Sequence, residues 1–233
     1  MLLRYYKNFV TGSVSHSKVS VISILTMLLL LMPAYHRAQS FADELMLQRL
    51  NEQYSAAAKQ RGIALNKLLH KLQGKDVRYQ LTEVNRFFNQ FRYKEDLKLW
   101  GQKDYWATPE EFLGVNSGDC EDYVVAKYFA LRKLGVPDKH LYLTYVKAVR
   151  QNIAHMVLSY FETPKSIPLI LDNYNPRILR ADKRKDLLPV YSFNAKSLFL
   201  TNASAGLGRA LPTNKIKNNK WQRLLENMKR SKQ

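Results

Sequence analysis

Apolar residues recur at roughly helical spacing through residues 43–72: Leu45, Leu50, Tyr54, Ala57, Ala58, Leu65, Leu68, Leu69 and Leu72. The pattern predicts a helical segment with its break at Gly62. A second helix is expected over residues 82–91, with Val84, Phe87, Phe88 and Phe91 on one side and Thr82 and Glu83 at its start. Thr108-Pro109-Glu110-Glu111 reads as a cap followed by proline at the first helical position, opening a short helix that ends at Gly114. The clearest helix covers residues 119–134. Asp119 is its expected N-cap. Val124, Val125, Tyr128, Leu131 and Leu134 make its buried face, and Gly135 with Pro137 ends it.

Beyond that helix the chain turns strand-like. Residues 141–149 alternate around aromatic and β-branched positions, followed by the runs 154–161 and 168–172. Arg150-Gln151-Asn152 and Thr163-Pro164-Lys165-Ser166 carry the turn signals between them. A helix followed by consecutive antiparallel strands predicts an α+β fold with the helix packed on an antiparallel sheet. Residues 211–233 are basic, with Trp221, Leu224, Leu225 and Met228 as a weak amphipathic stripe.

The first 42 residues differ in kind. Arg4, Lys7 and Lys18 precede an apolar run from Val19 to Met32, broken by Pro33, and small residues follow at Ala38, Ser40 and Ala42. This reads as a secretory signal peptide cleaved near residues 38–42, and so as a periplasmic protein. An uncleaved membrane anchor is the alternative, although the run is short of the about 20 residues a span needs. The formal charge of +18, from 37 Lys+Arg against 19 Asp+Glu, suits an acidic partner or surface. Export argues against nucleic acid, and no nucleic-acid motif is present.

The chain has one cysteine, so an internal disulfide is excluded. Cys120 lies in the tightest acidic cluster, Asp119-Cys120-Glu121-Asp122. Thiolate is the reactive form, and neighbouring carboxylates oppose it. The first turn of a helix favours the thiolate, and a bound cation would neutralise the acids. A cysteine hydrolase also needs an imidazole and a group that orients it. His155, near the start of one strand, and Asp172, at the end of the next, stand in the right order for those roles. His16 and His36 fall in the export segment, His70 in a basic helix and His140 in a loop. The Cys120 backbone N–H is a candidate oxyanion donor; the indoles of Trp100 and Trp106 are core or cleft wall before they are donors.

Gly118-Asp119-Cys120-Glu121-Asp122-Tyr123, Ala154-His155-Met156-Val157-Leu158 and Leu171-Asp172-Asn173 together resemble the bacterial transglutaminase-like cysteine proteases. Trp106-Ala107-Thr108-Pro109-Glu110-Glu111 and the block from Leu188 to Asn194 are also similar to that family, so the resemblance spans roughly residues 80–200. It implies a papain-like, transglutaminase-core fold with a Cys120-His155-Asp172 triad. It further implies a Ca2+ ion held by Asp119, Glu121 and Asp122, with other oxygens completing a shell of about 6–8 ligands. The implied activity is cleavage of a large cell-surface adhesin near its N-terminus, releasing it and promoting biofilm dispersal. The implied inhibitor is an inner-membrane cyclic-di-GMP receptor, LapD-like in type. The corresponding organisation is an export segment (1–42), a helical segment (43–80), a protease core (81–205) and a basic C-terminal helix or tail (206–233). An amidase or acyltransferase on cell-wall peptides, or a non-catalytic binding module, are the rival readings. A zinc site is disfavoured by the lack of ligand spacing.

Overall fold

The computed structural model describes residues 40–195, 197–202, 206–211 and 219–231. The expected export segment falls almost wholly outside them. Ser40–Gln233 makes one compact unit. Among the described residues, no helix is long and apolar enough to cross a membrane.

The unit opens with α1 (Glu44–Arg49), a π turn (Leu50–Tyr54) and α2 (Ala56–Leu72). The break in this stretch is at Ser55, not at Gly62. Ser55 is extended, and its hydroxyl accepts from the Ala58 N–H at 3.1 Å, which starts a new helix. Gly62 lies inside α2, where a Cβ would sit 2.8 Å from Leu47 and 2.9 Å from Leu50. Its small size serves packing between helices. Next comes α3 (Val77–Phe88), which begins earlier than its apolar spacing suggests, because Asp76 caps the N–H groups of Arg78 and Tyr79.

A two-residue strand β1 (Arg92–Tyr93), the short helix α4 (Asp96–Trp100), then α5 (Pro109–Val115) and β2 (Ser117–Gly118) lead into α6 (Cys120–Lys133). The predicted cap of α5 forms: Glu111 N–H donates to Thr108 Oγ1 at 3.1 Å, and Thr108 N–H donates to Glu111 Oε2 at 2.7 Å. The helix ends at Asn116, which takes the left-handed conformation (φ 55°), one residue beyond the helix and two beyond Gly114. A Cβ on Gly114 would collide with the Tyr54 ring at 2.6 Å.

Helix α6 is buried on nearly every side. Val124, Val125, Ala126, Tyr128, Ala130 and Leu131 are inaccessible, and so are the polar Asp122 and Lys127. Burial all round marks a core helix, not a surface helix with one apolar face. It ends at Gly135 (φ 91°), where the N–H groups of Val136 and Gly135 donate to the carbonyls of Leu131 and Arg132. That pairing is the Schellman arrangement, and it needs a residue without a Cβ at the left-handed position.

The strands are β3 (Leu141–Ala148), β4 (Ile153–Tyr160), β5 (Leu169–Leu171), β6 (Leu179–Arg180), β7 (Leu187–Phe193), β8 (Leu198–Asn202) and β9 (Gly206–Leu211). They form one antiparallel sheet in the order β6-β5-β4-β3-β7-β8-β9. The three expected strands are therefore neighbours, as read, and β7–β9 extend the sheet beyond β3. Met156, Leu158 and Leu171 face the core that holds α6, whereas Val157 and Ile170 belong to a second, smaller cluster with Val146, Ala148 and Leu187. Period-two alternation produces this division. The basic C-terminal stripe forms α7 (Asn219–Arg230), which buries Trp221 and Leu224. The Trp221 ring is 5.8 Å from Phe129, nearly parallel to it, and 5.5 Å from Tyr128.

Trp221→Ala is expected to cost about 3–5 kcal/mol, the usual range for emptying a buried tryptophan site. Urea unfolding of the purified protein measures it, and a loss below about 1 kcal/mol would show that α7 is not part of the cooperative core.

Candidate active site

The site begins where α6 begins. Asp119 takes the N-cap position in an extended conformation, and Cys120 is the first helical residue. Asp122 ties this end down. Its Oδ1 accepts from Ala107 N–H at 2.8 Å and its Oδ2 accepts from Asp119 N–H at 3.2 Å. Gly118 permits that placement, because a Cβ there would lie 2.3 Å from Asp122 Oδ2. Glycine is required at this position for space, not for backbone conformation.

The thiol of Cys120 is half-buried and donates to Glu121 Oε2 at 3.0 Å. Desolvation is the largest influence on it, and with Glu121 and Asp119 it pushes the thiol well above its ordinary range. The Met156 backbone N–H acts in the opposite sense. Met156 directly follows His155, so the nucleophile candidate rests against the strand that carries the imidazole.

Carboxylates crowd the same helix end. Oxygens of Asp96, Asp119 and Asp122 lie within 4.8 Å of one another, and Asp119, Cys120 and Glu121 make a second such group. Burial raises all four acids. Asp119 reaches about 9, with Glu121 the next cause after burial. Asp96 was not selected from the sequence. It lies 23 positions before Asp119 in the chain, and its pull into the cluster depends on the bond from Tyr105 N–H to its Oδ2 at 2.5 Å. The Oδ1 atoms of Asp96 and Asp119 are buried without a hydrogen-bond partner. Unpaired oxygens among mutually repelling carboxylates are what a hard divalent cation satisfies.

His155 and Asp172 meet as the strand order anticipated. His155 Nε2 and Asp172 Oδ1 are 2.8 Å apart, with both side chains inaccessible. Asp172 stands just past β5, where its Oδ1 also accepts from Tyr174 N–H at 3.0 Å. Its Oδ2 accepts from Arg184 Nη2 at 2.7 Å. Although burial acts to raise Asp172, the bonds from His155 and Arg184 outweigh it and hold the carboxyl down at about 2. The other ring nitrogen of His155, Nδ1, is buried and has no hydrogen-bond partner. The thiol of Cys120 is engaged by Glu121 and not by this nitrogen.

Several supporting residues carry no local sequence signal. Arg184 is buried and forks between Asp172 and Asp186. Asn89 donates to the Asp172 carbonyl at 2.8 Å and Asn85 to the Pro176 carbonyl at 3.0 Å, so α3 clamps the loop that presents the carboxylate. The Tyr174 ring stacks on His155 with centroids 4.1 Å apart and planes 5° from parallel. Tyr93 stands 6.0 Å from Tyr174. Trp106 is core, as read from the sequence, and Tyr123 also has a structural role. Tyr123 donates to the Phe91 carbonyl at 2.7 Å, and Trp106 is buried with its indole N–H on Asp104.

Comparison with known proteins agrees with this architecture. Residues 53–187 match the family model for bacterial transglutaminase-like cysteine proteinase BTLCP. No curated protein matches the chain. Among solved structures, EGTA-treated LapG of Legionella pneumophila is similar at 42% identity, covering 78% of this chain and 95% of that one, with a TM-score of 0.67. Calcium-bound LapG of the same organism is similar at 42% identity, covering 78% and 97%, with a TM-score of 0.65.

Asp172 gives the site a defined acid response. Its folded value of about 2 lies below the ordinary 3.8. The stability it contributes is therefore complete above the ordinary value and is lost as pH falls through about 2. Arg184→Met should move this acid limb to higher pH and cost about 3–5 kcal/mol near neutrality, since it leaves a buried carboxylate short of its cation. Urea unfolding between acid and neutral pH tests both effects; an unmoved acid limb would sink the assignment.

Proposed function

The chain belongs to the bacterial transglutaminase-like cysteine proteinase family, and on that premise we propose that it is a calcium-dependent periplasmic endopeptidase using Cys120, His155 and Asp172. The observation that carries this reading is the buried His155–Asp172 pair at 2.8 Å, with the second imidazole nitrogen left unpartnered and Cys120 opening the helix that packs on the same strand.

His155 takes the proton of Cys120, and the sulfur attacks the scissile carbonyl carbon. The carbonyl electron pair moves to oxygen, for which the Cys120 backbone N–H, at the helix start, is the candidate donor. As the C–N bond breaks, the leaving nitrogen takes the proton from the imidazolium. Water then attacks the thioester, gives its proton to His155, and the sulfur leaves as the carboxylic acid forms. Asp172 holds the ring through Nε2 and stabilises its cationic form, and Arg184 keeps Asp172 ionised.

The acids fit a calcium ion. Asp96, Asp119 and Asp122 would hold it, with Glu121 beside them, and the LapG structure solved with calcium supports the choice of ion. When bound, the ion supplies positive charge that offsets the carboxylates opposing the Cys120 thiolate. The substrate reading follows the family resemblance: a large surface adhesin cut near its N-terminus, with release and biofilm dispersal as the result and a LapD-like cyclic-di-GMP receptor as the restraint. Export by residues 1–42 places the enzyme where it meets both.

Incubation of the purified protein with the N-terminal region of such an adhesin should give one cut that needs both calcium and Cys120. Cys120→Ala should abolish it, and a cut that survives chelator would remove the metal from the proposal. A second test follows from the raised acids. An acid whose folded value lies above its ordinary one destabilises the fold as pH climbs between the two, which for Asp119 is from 3.8 to about 9. Calcium should therefore raise Tm more at pH 8 than at pH 5. Equal shifts at both pH values, or none, would count against a site built on these carboxylates.

A further inference from the structure

We propose that the cleft beside Tyr174 is a specificity subsite for an acidic side chain of the peptide substrate. The inference rests on the peptidase reading above and adds the chemical class of residue that the enzyme selects. Tyr174 links this cleft to the chemistry, because the ring that forms part of its wall lies flat on His155.

The cleft has a volume of about 280 Å³, ample for a carboxylate side chain. Two separate elements bring cations to it. Arg150 comes from the turn between β3 and β4, and Arg177 from the loop that follows Asp172. Neither guanidinium makes a side-chain hydrogen bond or an ion pair among the described residues. The lining also contains Asp186, but both of its oxygens are already taken by Arg184, at 2.9 and 2.7 Å. The cleft therefore presents two free guanidinium groups against one acid, whose oxygens are both held by an arginine that it shares with Asp172. Gln151 and Asn175 add neutral hydrogen-bonding groups.

Solvated surface arginines are the ordinary alternative in so basic a chain. Three features set this pair apart. The two side chains converge on one concavity, the neighbouring acid is occupied, and the wall is shared with the stacked imidazole. Guanidinium groups recognise carboxylates through paired N–H donors, which gives direction as well as attraction. A second cleft, at the start of β4, has a different character. There Tyr145, Ile153, Val190 and Tyr191 line a mainly apolar cleft that also holds Lys147 and Asn152, with Ile153 and Val190 exposed.

The test pairs two measurements on the calcium-loaded protein and on an Arg150→Glu/Arg177→Glu variant. Both side chains are exposed, so the reversal leaves the core intact. In a digest of a mixed peptide library, cuts should show Asp or Glu enriched at one position within about three residues of the scissile bond. The variant should lose that enrichment or replace it with Lys or Arg. Separately, the rates at which iodoacetate and iodoacetamide alkylate Cys120 report the local field without requiring peptidase activity. At low salt their ratio should fall about threefold or more in the variant. An unchanged ratio, or an enrichment that survives charge reversal, overturns the subsite. A digest without cuts defeats the peptidase reading instead, and the alkylation ratio then decides the subsite alone.

Discussion

Everything at the site depends on how α6 begins. A helix start favours a thiolate by up to about 2 kcal/mol in partly buried surroundings. Against it stand burial and two neighbouring carboxylates, and these prevail, since the Cys120 thiol is pushed well above its ordinary range. The capping geometry and the acidic cluster are inseparable, because Asp122 both satisfies the Asp119 N–H and adds negative charge beside Asp96. The residues that shape the helix end thereby create an electrostatic conflict. A cation held by these carboxylates would offset that conflict. That is the physical case for metal dependence in a hydrolase whose proposed chemistry is carried by sulfur and imidazole.

The sheet supplies the second half of the constellation through a different mechanism. His155 lies in β4 and Asp172 just past the end of its antiparallel neighbour β5, so ladder register brings the two backbones close and the loop that leaves β5 presents the carboxylate. The pair is inaccessible, and an ionised carboxylate there is costly unless fully bonded. Asp172 meets that condition with donors from His155, Tyr174 and Arg184. The amides of Asn85 and Asn89 hold the following loop from the helical layer. Helix and sheet thus meet at Asp172 by side-chain bonds to backbone, and these leave the carboxylate free to serve the imidazole.

Much of the frame was legible from periodicity. The helix that starts at Cys120, its N-cap, its glycine terminus and the three strands after it follow from spacing and punctuation. The errors share one cause. Gly62 was read as a break because glycine is a poor helix former, but close packing against Leu47 and Leu50 overrides propensity. The start of α3 was placed at Thr82 because its aromatic residues dominate the pattern, whereas Asp76 caps the helix without an apolar signature. Strands β7–β9 were not read as strands; in β7, exposed Leu188 and Val190 alternate with less exposed positions around Pro189.

What the sequence determined by itself is local: caps, turns, alternation, and a lone cysteine between acids near a histidine strand and an aspartate strand. Those features act over a few residues, and residue type is enough to specify them. Tertiary structure alone decided the partners. Asp96 joins Asp119 and Asp122, Arg184 reaches Asp172, and Tyr174 covers His155. Asp96 and Arg184 are set apart in the chain from the groups they touch, and Tyr174, though local to Asp172, reaches His155 across the sheet. Their selection depends on which buried charges are left unsatisfied once helix and sheet have packed. Desolvation is a property of the assembled interior, and no local pattern encodes it.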